Sequence, residues 1–209
     1  QNGILLYEVY ELFHPSKGVS VIRYVRNLDD SNVFLAGACT KGLQCPGIRI
    51  GWIIASRKNV ETLSNFSSFG MGGVSHPSQL YAVKLLEPER VAKAREAVER
   101  HYGMQRARYG EAFAKMGLGV HTGNGGFYHW LKLPDGLDAG ELNRRLFRRG
   151  AAILEGKDCD MARPHDKEPG YVSPYASWFR FSFGPLLPET FESDVATEYR
   201  ADAAAGRAR

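Results

Sequence analysis

The stretch Phe34-Leu-Ala-Gly-Ala-Cys-Thr-Lys41-Gly-Leu-Gln-Cys-Pro-Gly-Ile-Arg49-Ile-Gly-Trp-Ile-Ile-Ala55 places a lysine and an arginine between two apolar runs. The apolar runs predict strands, and the glycines and the proline between them predict a loop. A desolvated lysine can lose its proton and attack an aldehyde as a free amine. The arginine, eight positions further on, offers a planar fork that suits a phosphate. The stretch therefore predicts a site for a small molecule that carries both an aldehyde and a phosphate.

This stretch resembles the fold-type-I pyridoxal phosphate (PLP) aminotransferases, which form the aspartate aminotransferase superfamily of class I and II. The resemblance lies in Thr40-Lys41 and Gly47-Ile-Arg-Ile-Gly51. The family usually has S-x-[ST]-K followed by G-x-R-x-G. The resemblance implies that Lys41 forms a Schiff base with the cofactor, that Arg49 binds its phosphate, and that Thr40 adds a hydroxyl. Ala38 departs from the pattern, because the family usually has a phosphate-binding serine there. The alternative is a basic loop in which Lys41 is merely solvated.

A second match lies at the end of the first apolar run, where the family has D-x-x-Y. Tyr10 matches the tyrosine, which the resemblance implies is hydrogen-bonded to the phenolic O3′ of PLP. Tyr7 stands where the aspartate pairs with the ring nitrogen, and a phenol with a pKa near ~10 does not serve as that base. Three explanations stay open: attenuated chemistry, a bulge that lets Glu8 substitute, or an altered residue at position 7. Both tyrosines could instead be packing aromatics.

Arg180 lies in the middle of the predicted strand Trp178-Phe-Arg-Phe-Ser-Phe183. A charged side chain among apolar neighbours needs a partner. The resemblance implies that this arginine binds the α-carboxylate of the substrate through its two-pronged guanidinium. The alternative is an internal salt bridge to one of the C-terminal acidic residues.

The apolar patterns along the chain predict an α/β fold, in which the strands of the first half are covered on both faces. The predicted strands are Gly3–Tyr7, a short one at Ser20–Tyr24, Val33–Gly37, Arg49–Ala55, Gly119–His121, Gly126–Lys132, Ala151–Leu154 and Trp178–Phe183. The predicted helices are Val60–Phe69, Pro77–Leu86, Pro88 to about Met116, Asp138–Arg149 and Pro188 to about Arg200.

The order of these elements also resembles the second half of a fold-type-I chain. It implies that residues 1–100 form the end of the large mixed-sheet PLP-binding domain. Residues 101–209 would then form the small α+β C-terminal domain, and the boundary falls inside the long helix. The first half of a family member normally supplies further cofactor contacts, which this match does not include.

Composition excludes several other classes of function. The chain has 209 residues, 44% of them apolar and 24% charged, and its net charge of +4 is scattered along the sequence. It has no nucleic-acid-binding signature, no apolar stretch as long as a membrane span and no signal peptide. Its three cysteines show no metal-ligand spacing, and neither do its histidines, so we expect no metal site. Reduced thiols favour a cytoplasmic protein.

These observations favour a PLP-dependent aminotransferase that moves an amino group between an amino acid and a 2-oxo acid. Lys41 and Tyr10 would be the catalytic residues. Two alternatives stay open, a PLP-dependent lyase on the same scaffold and a non-catalytic homologue that keeps the fold. A homodimer is expected, because Gly72-Gly-Val-Ser75 and Gln79 match a segment near the dimer interface of the superfamily.

Overall fold

The computed structural model describes residues 2–14, 18, 20–161 and 170–197. The chain divides into two units, Gln1–His101 and Tyr102–Arg209. The division falls within the longest helix, α3 (Pro88–Lys115), which is preceded by α1 (Arg57–Met71) and α2 (His76–Leu85). Among the described residues, no helix combines the length and the apolar character that a membrane span requires.

The first unit contains a three-stranded mixed sheet in the order β1 (Ile4–Tyr7), β2 (Val33–Ala38) and β3 (Gly51–Ile54). Strands β1 and β2 are parallel, with Tyr7 opposite Ala36, whereas β2 and β3 are antiparallel, with Ala38 opposite Gly51. A Cβ atom at Gly37 would lie 2.4 Å from the Trp52 indole, so the tryptophan packs directly over this glycine. The covered face of the sheet is therefore the Gly37 face.

The strands of this sheet are less buried than their apolar sequences predict. Strand β1 is largely exposed, with Tyr7 at 66%, and Ile53 and Ile54 of β3 are also exposed. Both are edge strands of the sheet that the structure describes, so each lacks a neighbour on one side. The predicted strand at Ser20–Tyr24 is wrong. It is a 3-10 helix over Val21–Tyr24, whose first turn is capped by the Ser20 hydroxyl.

The second unit contains a four-stranded antiparallel sheet. Its order is β4 (Gly119–His121), β5 (Tyr128–Lys132), β7 (Trp178–Ser182) and β6 (Leu154–Glu155). Helix α4 (Ala139–Phe147) begins where predicted, because the Asp138 carboxylate accepts a hydrogen bond of 2.9 Å from the Glu141 N–H. The last predicted helix is a 3-10 turn, Pro188–Thr190, followed by a helical segment over 191–197. Its predicted end, at about Arg200, lies outside the described residues.

Aromatic rings fill the core of the second unit. Tyr109 and Phe113 of α3 pack against Phe181 and Phe183, and all but Phe181 are fully buried. The Tyr109 hydroxyl donates a 2.7 Å hydrogen bond to the Asp194 carboxylate, which ties the 191–197 segment to α3. Burial, together with this carboxylate, raises the pKa of Tyr109. The tyrosine therefore stays neutral and donates at physiological pH.

His129 of β5 is buried in the same core, with 1% of its surface exposed. Its Nδ1 shares a hydrogen bond with the Thr122 hydroxyl, and its ring packs against Phe113 and Phe183. Burial lowers the pKa of His129 to about 4, and the positive charge of Arg106 acts in the same direction. The histidine is therefore neutral in the folded protein at pH 7.

Acidification is expected to destabilise the second unit through His129. The unfolded chain binds a proton at this residue below a pKa of about 6.5, whereas the folded chain does so only below about 4. The free energy of unfolding should therefore fall as the pH drops from 6.5 to 4, by about 3 kcal/mol in total. Denaturant unfolding at pH 7 and pH 4.5 measures the change. His129→Gln should lose most of it, and an unchanged pH dependence in this variant would contradict the prediction.

Candidate active site

Three segments that are distant in sequence meet at one edge of the first sheet. Because β1 and β2 are parallel, Tyr7 and Ala38 end their strands at the same edge, and the antiparallel β3 begins there at Gly51. The Glu8 N–H donates to the Ala36 carbonyl at 2.9 Å, and the Cys39 N–H donates to the Ile50 carbonyl at 3.1 Å. The segments that follow β1, follow β2 and precede β3 carry the predicted site residues Tyr10, Lys41 and Arg49.

Residues 39–45, the lysine loop, form a turn that is closed at its base. The Cys45 N–H donates to the Cys39 carbonyl at 3.1 Å, and both the backbone and the side-chain amide of Gln44 donate to the Lys41 carbonyl. A Cβ atom at Gly42 would lie 2.8 Å from Leu12, so only glycine lets the loop pack against the 3-10 helix Glu11–Phe13. The packing fixes the loop beside the segment that carries Tyr10.

Arg49 has a strained backbone. Its φ of 56° lies in the left-handed region, which costs a residue other than glycine roughly 1–2 kcal/mol. Its side chain is exposed, and one guanidinium nitrogen donates a 2.8 Å hydrogen bond to the Pro46 carbonyl. Strain at a charged residue beside a loop is typical of a functional position.

The tyrosine that ends β1 and the one that follows the strand differ in their surroundings. Tyr10 is half-buried, and its ring lies 5.7 Å from that of Phe13. Tyr7 is exposed and lies on the sheet face opposite the one that Trp52 covers, because it pairs with Ala36 rather than with a residue of the Gly37 face. Thr40 and Lys41 are both half-buried.

Glu8 does not take the place of the missing aspartate. One of its carboxylate oxygens accepts a 2.8 Å hydrogen bond from the Val21 N–H. The residue lines a small cavity together with Leu12 and Trp52, which places it on the Trp52 side of the sheet, away from Tyr7. The alternative in which a bulge brings Glu8 to the Tyr7 position therefore finds no support in the structure.

Arg180 lies in the second unit on strand β7, opposite Trp130 of β5 and Leu154 of β6. Its guanidinium carbon lies 4.5 Å from the centre of the Tyr128 ring. Within the described part of the chain it forms no salt bridge, and its buried Nε has no hydrogen-bond partner. The alternative, an internal salt bridge to a C-terminal acidic residue, is thus absent from the described residues. A buried donor without a partner is costly, and an incoming carboxylate would remove that cost.

The sequence analysis missed two features of these surroundings. The first is the contact between Arg180 and Tyr128, which the diagonal relation of the two residues across β5 and β7 makes possible. The second is the proximity of Cys39 and Cys45 at the base of the lysine loop. Their spacing of six residues around Lys41 was a signal for it.

The mixed sheet and the antiparallel second unit are those of a PLP transferase of fold type I. The chain belongs to the aminotransferase class I and II family, whose model matches residues 4–190. This assignment confirms the resemblance carried by the lysine region. Members of the family depend on PLP.

Two curated proteins illustrate the range of functions among similar chains. The chain is 29% identical over 202 residues to 1-aminocyclopropane-1-carboxylate synthase 7 of Arabidopsis thaliana, a match that covers 88% of this chain and 42% of the synthase. It is 28% identical over 124 residues to YdcR of Escherichia coli, an uncharacterised HTH-type transcriptional regulator, in a match that covers 57% of this chain and 26% of that protein. The chain thus spans less than half the length of either protein.

Solved structures match nearly all of the chain. The α-aminoadipate aminotransferase LysN of Thermus thermophilus, complexed with N-(5'-phosphopyridoxyl)-L-leucine, superimposes with a TM-score of 0.83 at 19% identity over 97% of this chain and 50% of that chain. The aromatic aminotransferase of Pyrococcus horikoshii also gives a TM-score of 0.83, at 20% identity over 98% of this chain and 52% of that chain. The fold is shared, and this chain spans about half of it.

The donors at the sheet edge fit most parts of PLP. An amine, a hydroxyl and a guanidinium in Lys41, Thr40 and Arg49 suit an aldehyde and a phosphate, and the phenol of Tyr10 suits the phenolic oxygen of the cofactor. The ring nitrogen is the exception. At the end of β1, Tyr7 offers no negative charge, and the carboxylate of the next residue, Glu8, accepts its hydrogen bond from the Val21 N–H.

Proposed function

We propose that this chain is part of a PLP-dependent aminotransferase, which transfers an amino group between an amino acid and a 2-oxo acid through Lys41. The observation that carries the proposal is the strand register, by which the segments that carry Tyr10, Lys41 and Arg49 all adjoin the same edge of the first sheet. When bound, PLP withdraws electrons from the substrate Cα. Because the chain spans about half of its structural relatives, the activity is proposed for the intact protein.

Each of these side chains has a distinct proposed role. Lys41 would hold the cofactor covalently through its aldehyde, and its released amine would then move the proton from the substrate Cα to the aldehyde-derived carbon C4′ of the cofactor. Arg49 and Thr40 bind the phosphate, and Tyr10 donates to the phenolic oxygen. Arg180 binds the substrate carboxylate through its paired N–H groups. Tyr7 would take the place of the family's aspartate and would leave the ring nitrogen without an anionic partner.

A PLP-dependent lyase is the second candidate. The specific observation in its favour is the match to the Arabidopsis synthase, which extends over 88% of this chain. The same lysine, tyrosine and arginine would serve elimination as well as transamination. A non-catalytic homologue is the third candidate, and the replacements at Tyr7 and Ala38 are what favour it. The joint presence of Lys41, Arg49, Tyr10 and Arg180 favours an enzyme.

Covalent trapping of the cofactor tests the proposal on the chain itself. PLP is added, the absorbance spectrum is recorded, and borohydride then fixes any lysine adduct for peptide mapping. We expect a pH-sensitive absorbance band and a pyridoxyl group on Lys41 in preference to the other eight lysines. An even distribution over all nine lysines, or an unmodified Lys41, would favour the non-catalytic homologue.

Pyridoxal, which lacks the phosphate of PLP, is the control for the proposed contact between Arg49 and the phosphate. If Arg49 binds the phosphate, Arg49→Gln should lower the labelling of Lys41 by PLP to the level obtained with pyridoxal. The labelling by pyridoxal itself should not change. A parallel loss with both aldehydes would mean that the substitution disturbs the lysine loop rather than phosphate binding.

A homodimer is also proposed for the intact protein. Helices α1 and α2 and the turn between them expose several large apolar side chains, and contiguous exposed apolar surface typically marks an interface. The most exposed are Phe66, Phe69, Met71, Leu80 and Val83. Sedimentation equilibrium gives the molar mass that decides between monomer and dimer. The cytoplasmic location stays a prediction from the cysteine content.

A further inference from the structure

Two cysteines bracket Lys41 at the base of the lysine loop. Cys39 is fully buried in an apolar cluster with Ile50 and Ala82, and Cys45 is half-buried and packs against the same cluster. Both thiols therefore enter one apolar environment from the two ends of the loop. Both cysteines are free thiols in this structure.

The backbone brings the two cysteines within disulfide range. The Cys45 N–H donates a 3.1 Å hydrogen bond to the Cys39 carbonyl, and with standard backbone bond lengths such a bond keeps the two Cα atoms within about 6.5 Å of each other. A disulfide needs Cα atoms about 4.4–6.8 Å apart. The turn in between is already closed, since the Gln44 N–H donates to the Lys41 carbonyl at 3.1 Å. Formation of the bond therefore requires no new path for the backbone.

The two thiols also differ in reactivity. Burial raises the pKa of the Cys39 thiol, and the neighbouring Cys45 adds to that shift. Cys39 is thus a poor first nucleophile, whereas Cys45 is the more accessible of the two. An oxidant from solution should reach Cys45 first, with Cys39 held beside it as the resolving thiol.

We propose that Cys39 and Cys45 form an oxidation site for hydroperoxides, which encloses Lys41 in a disulfide-closed ring. The Cys45 thiolate attacks the peroxide, the O–O bond breaks, and a sulfenic acid and water are formed. The Cys39 thiolate then attacks the Cys45 sulfur, the S–O bond breaks, and a second water leaves. Two thiols and one hydrogen peroxide thus give one disulfide and two waters, as two electrons pass from sulfur to oxygen. A small dithiol reverses the reaction.

The ring acts on Lys41 through the loop that holds it. Thr40, Lys41 and Gly42 would lie between two fixed ends, and the closed ring limits the movement by which the lysine amine reaches an aldehyde. This consequence rests on the proposed function, whereas formation of the disulfide does not. The two parts can therefore fail separately.

Hydrogen peroxide treatment of the folded chain, followed by alkylation in denaturant and peptide mapping, tests the disulfide. The number of alkylated cysteines should fall from three to one, with a peptide cross-linked between Cys39 and Cys45. Cys159→Ser is the matched control and should keep the cross-link, whereas Cys45→Ser should abolish it. With limiting peroxide in buffer, the cross-link should form in preference to sulfinic acid at Cys45, because Cys39 lies beside the oxidised sulfur. Sulfinic acid at Cys45 without a cross-link, or a cross-link through Cys159, would overturn the proposal.

Labelling of Lys41 by PLP and borohydride, before and after oxidation, tests the consequence. We expect the oxidised chain to be labelled at least fivefold less, with recovery after treatment with dithiothreitol. In Cys45→Ser, peroxide should leave the labelling unchanged. A disulfide that forms without any change in Lys41 labelling would overturn the link to the lysine alone. Absence of Lys41 labelling in the untreated chain would count against the proposed function, and the cross-link result would stand by itself.

Discussion

Replacement of Lys41 by alanine is expected to lower kcat of the intact protein by at least about 10³-fold, because a positioned proton-transfer group alone contributes 10²–10⁴-fold. The substitution also removes the covalent attachment of the cofactor. The base of the loop should stay closed, since the bonds that close it use the Lys41 carbonyl and the backbone of Cys39 and Cys45, which the substitution keeps. Steady-state kinetics with an amino acid and a 2-oxo acid measures the effect.

Three further variants separate chemistry from folding. Lys58→Ala removes an exposed lysine of α1 and should leave kcat unchanged. Lys41→Arg keeps the positive charge but supplies no free amine near neutral pH, so it should be as inactive as the alanine variant. Added ethylamine should restore part of the activity of Lys41→Ala, since it supplies the missing base. Activity of Lys41→Ala within tenfold of the parent protein would contradict a catalytic role for this lysine.

The order of the elements follows from signals that are local in sequence. Asp138 begins α4 because its carboxylate accepts the Glu141 N–H, and Pro77 lies in the first turn of α2 where its missing N–H does no harm. The short run at Ser20–Tyr24 shows that the apolar pattern of a few residues does not by itself determine the element. The four residues Val21–Tyr24 fit a strand or a helical turn equally well, and the hydroxyl of Ser20, which caps the turn, favours the turn.

Burial was harder to predict than the elements. The apolar residues of β1 and β3 predict covered faces, yet Ile4, Tyr7 and Ile53 are exposed. Burial depends on what packs against a strand, and the sequence of the strand does not contain that information. This chain spans about half the length of the solved structures that it matches.

The candidate site likewise combines features that the sequence indicates with features that only the folded structure reveals. The resemblance to the family proposes Lys41, Arg49 and Tyr10 as site residues, and the parallel register of β1 and β2 explains why the segments that carry Tyr10 and Lys41 meet. The left-handed backbone of Arg49 and the bond from the Val21 N–H to Glu8 could not be predicted. Both depend on contacts that form only when the chain is folded.

Replacement of Arg180 by alanine is expected to lower kcat/KM for an amino acid by about 10²-fold, the equivalent of one charge-assisted pair of hydrogen bonds. The reason lies in the unpartnered Nε. The guanidinium is held against the Tyr128 ring, and its buried donor has no acceptor among the described residues. A substrate carboxylate would supply that acceptor, so its loss should raise KM more than it lowers kcat.

The chemistry of the substrate separates this role from a structural one. An amine substrate without a carboxylate should react equally well with the parent protein and with Arg180→Ala, because neither forms the contact. Arg180→Lys should recover only part of the loss, since an ammonium group lacks the paired donors of the guanidinium. Arg149→Ala removes an exposed arginine and is the matched control. Equal losses for both substrates, with a lowered free energy of unfolding, would instead assign Arg180 to the stability of β7, through its contact with Tyr128.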